Sequence, residues 1–223
     1  KKISNSFINT ICIVNTFCVN LKKGLGEIMS EHDGITEENS FINLIAERQS
    51  FPRLEEPGPT EQEFASILEA ALRAPDHMRL TPWRFLIIHK DNRSALGSLF
   101  SEHVMASNPN SSEEALLKAK NKAFRAPVIL VGIACIKDHP KVPQIEQMLS
   151  AGCVLTNVGL AIYAKGFGSV WRTGDYAYSD VIRSGLGIAD SEKIIGFLYI
   201  GTPVSRERPL SKISLDEHVK YWP

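Results

Sequence analysis

Pro143-Gln144-Ile145-Glu146-Gln147-Met148-Leu149-Ser150-Ala151-Gly152-Cys153-Val154-Leu155-Thr156-Asn157-Val158-Gly159-Leu160-Ala161-Ile162-Tyr163-Ala164-Lys165 is the stretch on which the architecture turns. It reads as one long helix whose middle is apolar nearly all round. Such a helix in a soluble chain belongs at the centre of a domain or in the core of a dimer. Ala151, Gly152, Gly159 and Ala164 are small enough to admit a second backbone. Glu146, Asn157 and Lys165 interrupt the apolar character, so the run is not read as a membrane span.

The segments on either side supply the rest. Val128 to Cys135 is apolar throughout, the pattern of a central strand covered on both faces. Phe85 to Ile88 and Ile194 to Ile200 read as further buried strands, and Ser169 to Arg172 as a short one. Helices are expected over Ser40 to Glu47, from Thr60 towards Pro75, over Ser94 to Met105, over Glu113 to Phe124 and from Ser179 to Leu186. Thr60 and Glu63 have capping-box spacing, in which each side chain satisfies the other's free backbone N–H. Leu54 to Pro59 is a breaker-rich connection and Asn108 to Ser112 a mobile loop by composition. Helices and strands mix without regular βαβ alternation, which places the chain in the α+β class.

The 223 residues suit one sizeable domain, and 25 basic side chains balance 25 acidic ones. That balance lacks the basic footprint of a nucleic-acid binder and favours association. Cys12, Cys18, Cys135 and Cys153 form no CxxC pair and no zinc spacing. Cys135 and Cys153 are expected to be buried thiols in a reducing compartment, which gives a cytoplasmic protein. Residues 1–28 join a basic start to a broken apolar run and can be read as a signal peptide. The preferred expectation is a dispensable extension before Met29, with residues 29–223 forming a single domain.

Three short segments could carry chemistry. Arg48-Gln49-Ser50 offers a cation and a hydroxyl at a helix end, the donors a phosphate needs. Arg73-Ala74-Pro75-Asp76-His77, with Pro82-Trp83 beyond it, sets a cation and an imidazole on a loop. Gly166-Phe167-Gly168-Ser169-Val170-Trp171-Arg172 lacks the third glycine of a dinucleotide fingerprint, and its Gly166 reads first as a helix C-cap. Read alone, Arg48 and Ser50 are a surface pair, His77 a hydrogen-bonded loop residue and Trp171 a packing residue. Spacing by itself stops at a soluble α+β enzyme-like domain.

In this order, and together with Lys122-Ala123-Phe124-Arg125-Ala126-Pro127, Glu146 to Cys153 and Ile195 to Pro203, these segments resemble the nitroreductase family of FMN-dependent oxidoreductases. They look most like its compact bacterial YdjA-like members. The likeness runs from about Ser40 to Pro203. It implies a central, mostly antiparallel sheet flanked by helices, in an intertwined homodimer with FMN at the interface and the long helix at the dimer core. It also implies electron transfer in two steps, from NADH or NADPH to the flavin and then to a nitroaromatic or other oxidised small molecule, with no catalytic side chain required. By the same resemblance, Arg48, Gln49 and Ser50 hold the phosphate and ribityl chain. Arg73 and His77 reach a flavin, in the case of Arg73 one shared with the partner chain. Ser169, Val170 and Trp171 border the ring, with Trp171 buried as it does so. Gln49 stands where the family has a second arginine, Pro52 where it often has a basic residue and Thr81 where it often has glutamine. Arg206 and Arg208 lie where other members place a late phosphate-binding base. A flavin-binding or sensing module without turnover, and an apolar-helix scaffold without cofactor, are the alternatives from other classes.

Overall fold

The computed structural model describes residues 40–205, 209–210 and 213–222. The boundary at Met29, Cys12, Cys18, Arg206 and Arg208 lie outside the described residues. Contacts divide the chain into a unit ending at Asn43 and a unit from Leu44 onward. Of the first unit only Ser40–Asn43 is described, the opening of helix α1 (Ser40–Glu47). The second unit carries the whole sheet.

Five strands form that sheet: β1 (Leu54–Glu55), β2 (Trp83–His89), β3 (Val128–Cys135), β4 (Gly168–Arg172) and β5 (Glu192–Pro203). Every ladder is antiparallel, in the order β1-β5-β3-β2 with β4 also on β5. The expected α+β class and antiparallel sheet are both observed. All of Val128 to Ala134 is buried, because β3 lies between β5 and β2 and is covered on both faces. Phe85 to Ile88 does not share that burial. Ile88 alone of the four is buried and Ile87 is exposed, since β2 is an edge strand.

The remaining helices are α2 (Glu61–Ala71), α3 (Asn92–Ser107), α4 (Glu113–Lys120), α5 (Gln144–Ala164) and α6 (Asp180–Gly185). Thr60 caps α2 in the expected box: its Oγ1 accepts from the Glu63 N–H at 3.3 Å, and Glu63 Oε2 accepts from the Thr60 N–H at 2.8 Å. The Glu63 carboxyl is held below its ordinary pKa by those Thr60 donors. α2 ends at Ala71, short of Pro75, and leaves Leu72 exposed. The Asn108 loop is a hydrogen-bonded turn, with the Asn110 N–H donating to Asn108 Oδ1 at 3.2 Å and the Ser111 N–H to the Asn108 carbonyl at 3.0 Å.

Two apolar clusters separate the sheet faces. On one face Val154, Leu155, Val158 and Ile162 of α5 pack with Phe64 and Ile67 of α2 against Leu130, Leu198 and Ile200. On the other, Leu96 and Phe100 of α3 and Ile182 of α6 meet Ile129, Val131, Phe197 and Tyr199. By length and composition α5 could cross a bilayer, yet this inner face is fully engaged with the sheet. Its outer face is apolar and bare: Ile145 is 60% and Leu149 62% exposed. Cys153 shares the exposure, so the expectation of a buried thiol fails there, and Cys135 is only half-buried. The all-round apolar sequence reflects one face for the core and a second that stays exposed among the described residues.

Candidate functional site

Helix α1 stops at Glu47, and the Arg48 N–H still donates to the Leu44 carbonyl at 3.0 Å. The chain then extends. Ser50 pairs in parallel with Ser169, and the Phe51 N–H donates to the Ser169 carbonyl at 3.0 Å. Phe51 is buried behind this bridge against Gly168. A Cβ on Gly168 would lie 2.7 Å from Pro203 Cγ and 2.9 Å from Phe51 Cδ2, so only glycine permits the approach. Arg48-Gln49-Ser50 and Ser169-Val170-Trp171, far apart in sequence, therefore meet at one bridge. Arg48 and Gln49 are half-buried and Ser50 is exposed. The segment supplies a guanidinium, an amide and a hydroxyl in three successive residues, donor types that suit a phosphate-bearing tail.

Successive β4 residues face opposite ways. Ser169 is buried towards α5, where a Cβ on Gly159 would come within 3.8 Å of its Oγ. Val170 turns to the other face and packs on its cluster. Trp171 lies across Gly196, where a Cβ would be 2.0 Å from the indole nitrogen. The indole N–H donates to the Ile195 carbonyl at 3.3 Å. The expectation of a buried Trp171 fails, because the side chain is 39% exposed. The packing role holds, and a part of its ring stays open.

Arg73 and His77 are positioned by different elements. Asn157 Nδ2 of α5 donates to the Ala71 carbonyl at 3.2 Å and ties the end of α2 to the long helix, with Arg73 exposed just beyond. His77 Nδ1 sits 2.6 Å from Glu146 Oε2, in the first turn of α5. The next residues wind in left-handed conformation, with φ of 61° at Met78, 53° at Arg79 and 46° at Thr81. Each costs roughly 1–2 kcal/mol for a side chain with a Cβ. Asp76 Oδ2 accepts from the Thr81 N–H at 2.6 Å, and Lys137 Nζ donates to the Leu80 carbonyl, so the loop is held from both sides. The bridge thus joins the first and last predicted segments, and the middle one is held against the start of α5.

Sequence reasoning missed a polar cluster that locks the sheet. Arg84 of β2 donates from Nε and Nη2 to the two oxygens of Glu192 on β5, at 2.6 and 2.7 Å. Cys135 Sγ donates to Glu192 Oε1 at 3.2 Å. The Arg84 guanidinium pulls the Glu192 carboxyl down to about 2, and burial pushes the Cys135 thiol up to about 11. Cys135 is therefore a neutral donor and not a nucleophile. The one visible signal was an arginine next to the apolar run Phe85 to Ile88. Gln147 was also missed: fully buried on α5, it donates to the Lys137 carbonyl at 2.8 Å and accepts the Lys137 N–H at 2.9 Å, fixing the loop whose lysine holds Leu80.

The family model described as "Nitroreductase family" matches residues 45–202, from the end of α1 to the last residues of β5. The chain belongs to the nitroreductase family. Among curated nitroreductase relatives, the "Putative NAD(P)H nitroreductase YdjA" of Escherichia coli (strain K12) is 40% identical over 162 residues, 73% of this chain and 87% of that protein. A Haemophilus influenzae relative described as an NAD(P)H nitroreductase in the same terms is 35% identical over 182 residues, 81% of this chain and 98% of its own length. Solved nitroreductase-like structures share the fold. A Bacillus cereus nitroreductase-like family protein superposes with a TM-score of 0.72 at 20% identity, covering 85% of this chain and 99% of that one. The FMN and NADPH-dependent nitroreductase NfnB of Sphigopyxis sp. strain HMH does so at 0.68 and 18% identity, covering 82% and 99%. The nitroreductase match spans the Ser50–Ser169 bridge and all three segments that carry the candidate residues.

Proposed function

We propose that this nitroreductase-family chain is an FMN-dependent NAD(P)H oxidoreductase that passes electrons from NADH or NADPH to nitroaromatic or other oxidised small molecules. The Ser50–Ser169 bridge carries the reading, because it brings together two distant segments that hold candidate residues. Bound FMN supplies hydride and electron chemistry that no side chain here provides. Arg48, Gln49 and Ser50 hold its phosphate and ribityl chain. Ser169, Val170 and Trp171 border the ring, and the exposed part of Trp171 offers it an apolar wall. Arg73 and His77 serve a flavin from the α5 side, with Glu146 orienting His77. A cation such as Arg73 near the pyrimidine end favours the negatively charged reduced ring.

The protein acts as a homodimer in the cytoplasm. The bare apolar face of α5, Ile145, Leu149 and Cys153, is the surface a second copy covers. Residues 29–223 form the working domain. Anaerobic addition of NADPH or NADH to the yellow protein tests the activity. Bleaching that reverses with a nitroaromatic supports the enzyme, a coloured protein that never bleaches supports a binding module, and colourless protein indifferent to added FMN removes both.

A further inference from the structure

The sheet face turned away from α5 carries a cleft of about 390 Å³, walled by β4, β5, α3 and the turn after β4. Its floor is aromatic: Phe100 and Phe197 are buried and pack edge to face at 5.8 Å, and Phe100 stacks on Tyr176 at 4.4 Å. Three cations share the lining, Lys122, Arg125 and Arg172, with no carboxylate among the lining residues. Like charges gathered in one small recess repel, and the fold gains nothing from the arrangement by itself.

The cations are incompletely satisfied. Arg172 Nε is buried without a hydrogen-bond partner among the described residues, a loss normally avoided. Its guanidinium lies 5.7 Å from the Tyr199 ring centre. Lys122 Nζ reaches the Tyr176 hydroxyl at 2.9 Å and sits 4.6 Å from that ring's centre, and it forms no ion pair among the described residues. Burial pushes the Tyr199 phenol up to about 12, so it stands in the cleft as a neutral group. Recesses of about 300–1,000 Å³ with apolar walls and a few convergent polar groups hold small molecules. Aromatic walls select a planar ring, and the unopposed cations select negative charge on it.

We propose that this cleft is a binding site for a small aromatic anion, a planar ring bearing a carboxylate or an equivalent acidic group. It is distinct from the Arg48–Ser50 donor set and does not rest on the flavin reading. Arg172 and Val170 alternate with Ser169 and Trp171 along β4, and Trp171 also lines the cleft.

Isothermal titration of the full-length protein with 1-naphthoate and with uncharged 1-naphthamide tests it. The acid is expected to bind at least about tenfold more tightly than the amide, the scale of one charge-assisted hydrogen bond. The double variant Lys122→Met, Arg125→Met is expected to lose that advantage while flavin content and melting temperature hold. Should the double variant fail to fold, Arg125→Met alone, at an exposed position, is expected to weaken the acid and leave the amide unchanged. Equal binding of acid and amide, or undiminished acid binding in the folded variant, overturns the proposal. So does loss of flavin together with naphthoate, which would make the cleft part of the flavin site. A failed flavin reading with selective naphthoate binding would leave this proposal standing.

Discussion

Arg84 of β2 and Glu192 of β5 grip one another through two parallel hydrogen bonds past the end of β3, the strand that separates them. The pair sits where the ladders run out, and the Cys135 thiol joins it from β3 itself. The paired geometry and the charge on both partners make it one of the stronger polar contacts in the sheet.

Glu192 should make stability pH-dependent. Its folded pKa of about 2 lies below the ordinary 4.5, so the stabilisation is complete above pH 4.5 and is lost as pH falls through about 2. Glu192→Gln is expected to cost on the order of 2 kcal/mol at pH 7, discounted for the part-exposed Arg84. Urea unfolding at pH 7, 5 and 3 should show the gap between wild type and variant narrowing at the lowest value. A gap that stays constant would remove this account.

Gly196 should resist enlargement. A Cβ there meets the Trp171 indole nitrogen at 2.0 Å and Cδ1 at 2.6 Å. Gly196→Ala is expected to displace the indole, break its bond to the Ile195 carbonyl and cost roughly 1–3 kcal/mol. Red-shifted tryptophan emission and a lowered melting temperature would report it, and on the proposed function flavin retention falls as well.

On the phosphate assignment, Arg48→Ala and Ser50→Ala each weaken FMN. Losing a charge-assisted hydrogen bond of about 1.5–3 kcal/mol corresponds to roughly 10- to 150-fold in dissociation constant. Fluorescence titration of apoprotein with FMN measures it, and unchanged binding in both variants would discard the assignment.

Cys153 provides a probe of assembly. It is exposed on the single chain beside Leu149, on the face assigned to a second copy. In a background with Cys12 and Cys18 changed to serine, a thiol reagent should label Cys153 slowly in concentrated protein and faster on dilution. Cys135, with its thiol near 11 and bonded to Glu192, should stay unreactive until unfolding. Rapid labelling of Cys153 at every concentration would argue against α5 as the interface.

A chain beginning at Met29 is expected to retain FMN and the full melting temperature. Loss of either would assign residues 1–28 a part in the fold.

Much of this protein was legible before folding, and for local reasons. Thr60 and Glu63 cap a helix because their partners are three residues away. Val128 to Cys135 can only be an interior strand, because so apolar a run has no tolerable exposed face. What the linear chain could not settle was decided by contacts between distant segments. Ile87 looked as buried as Ile88, and edge placement exposed it. Cys153 looked interior, and helix orientation turned it outward. The Arg84–Glu192 pair, the Ser50–Ser169 bridge and the gathering of Lys122, Arg125 and Arg172 have no sequence period, because each depends on how strands align across the sheet. Periodicity reports which face of an element is apolar, and register alone determines which polar groups meet.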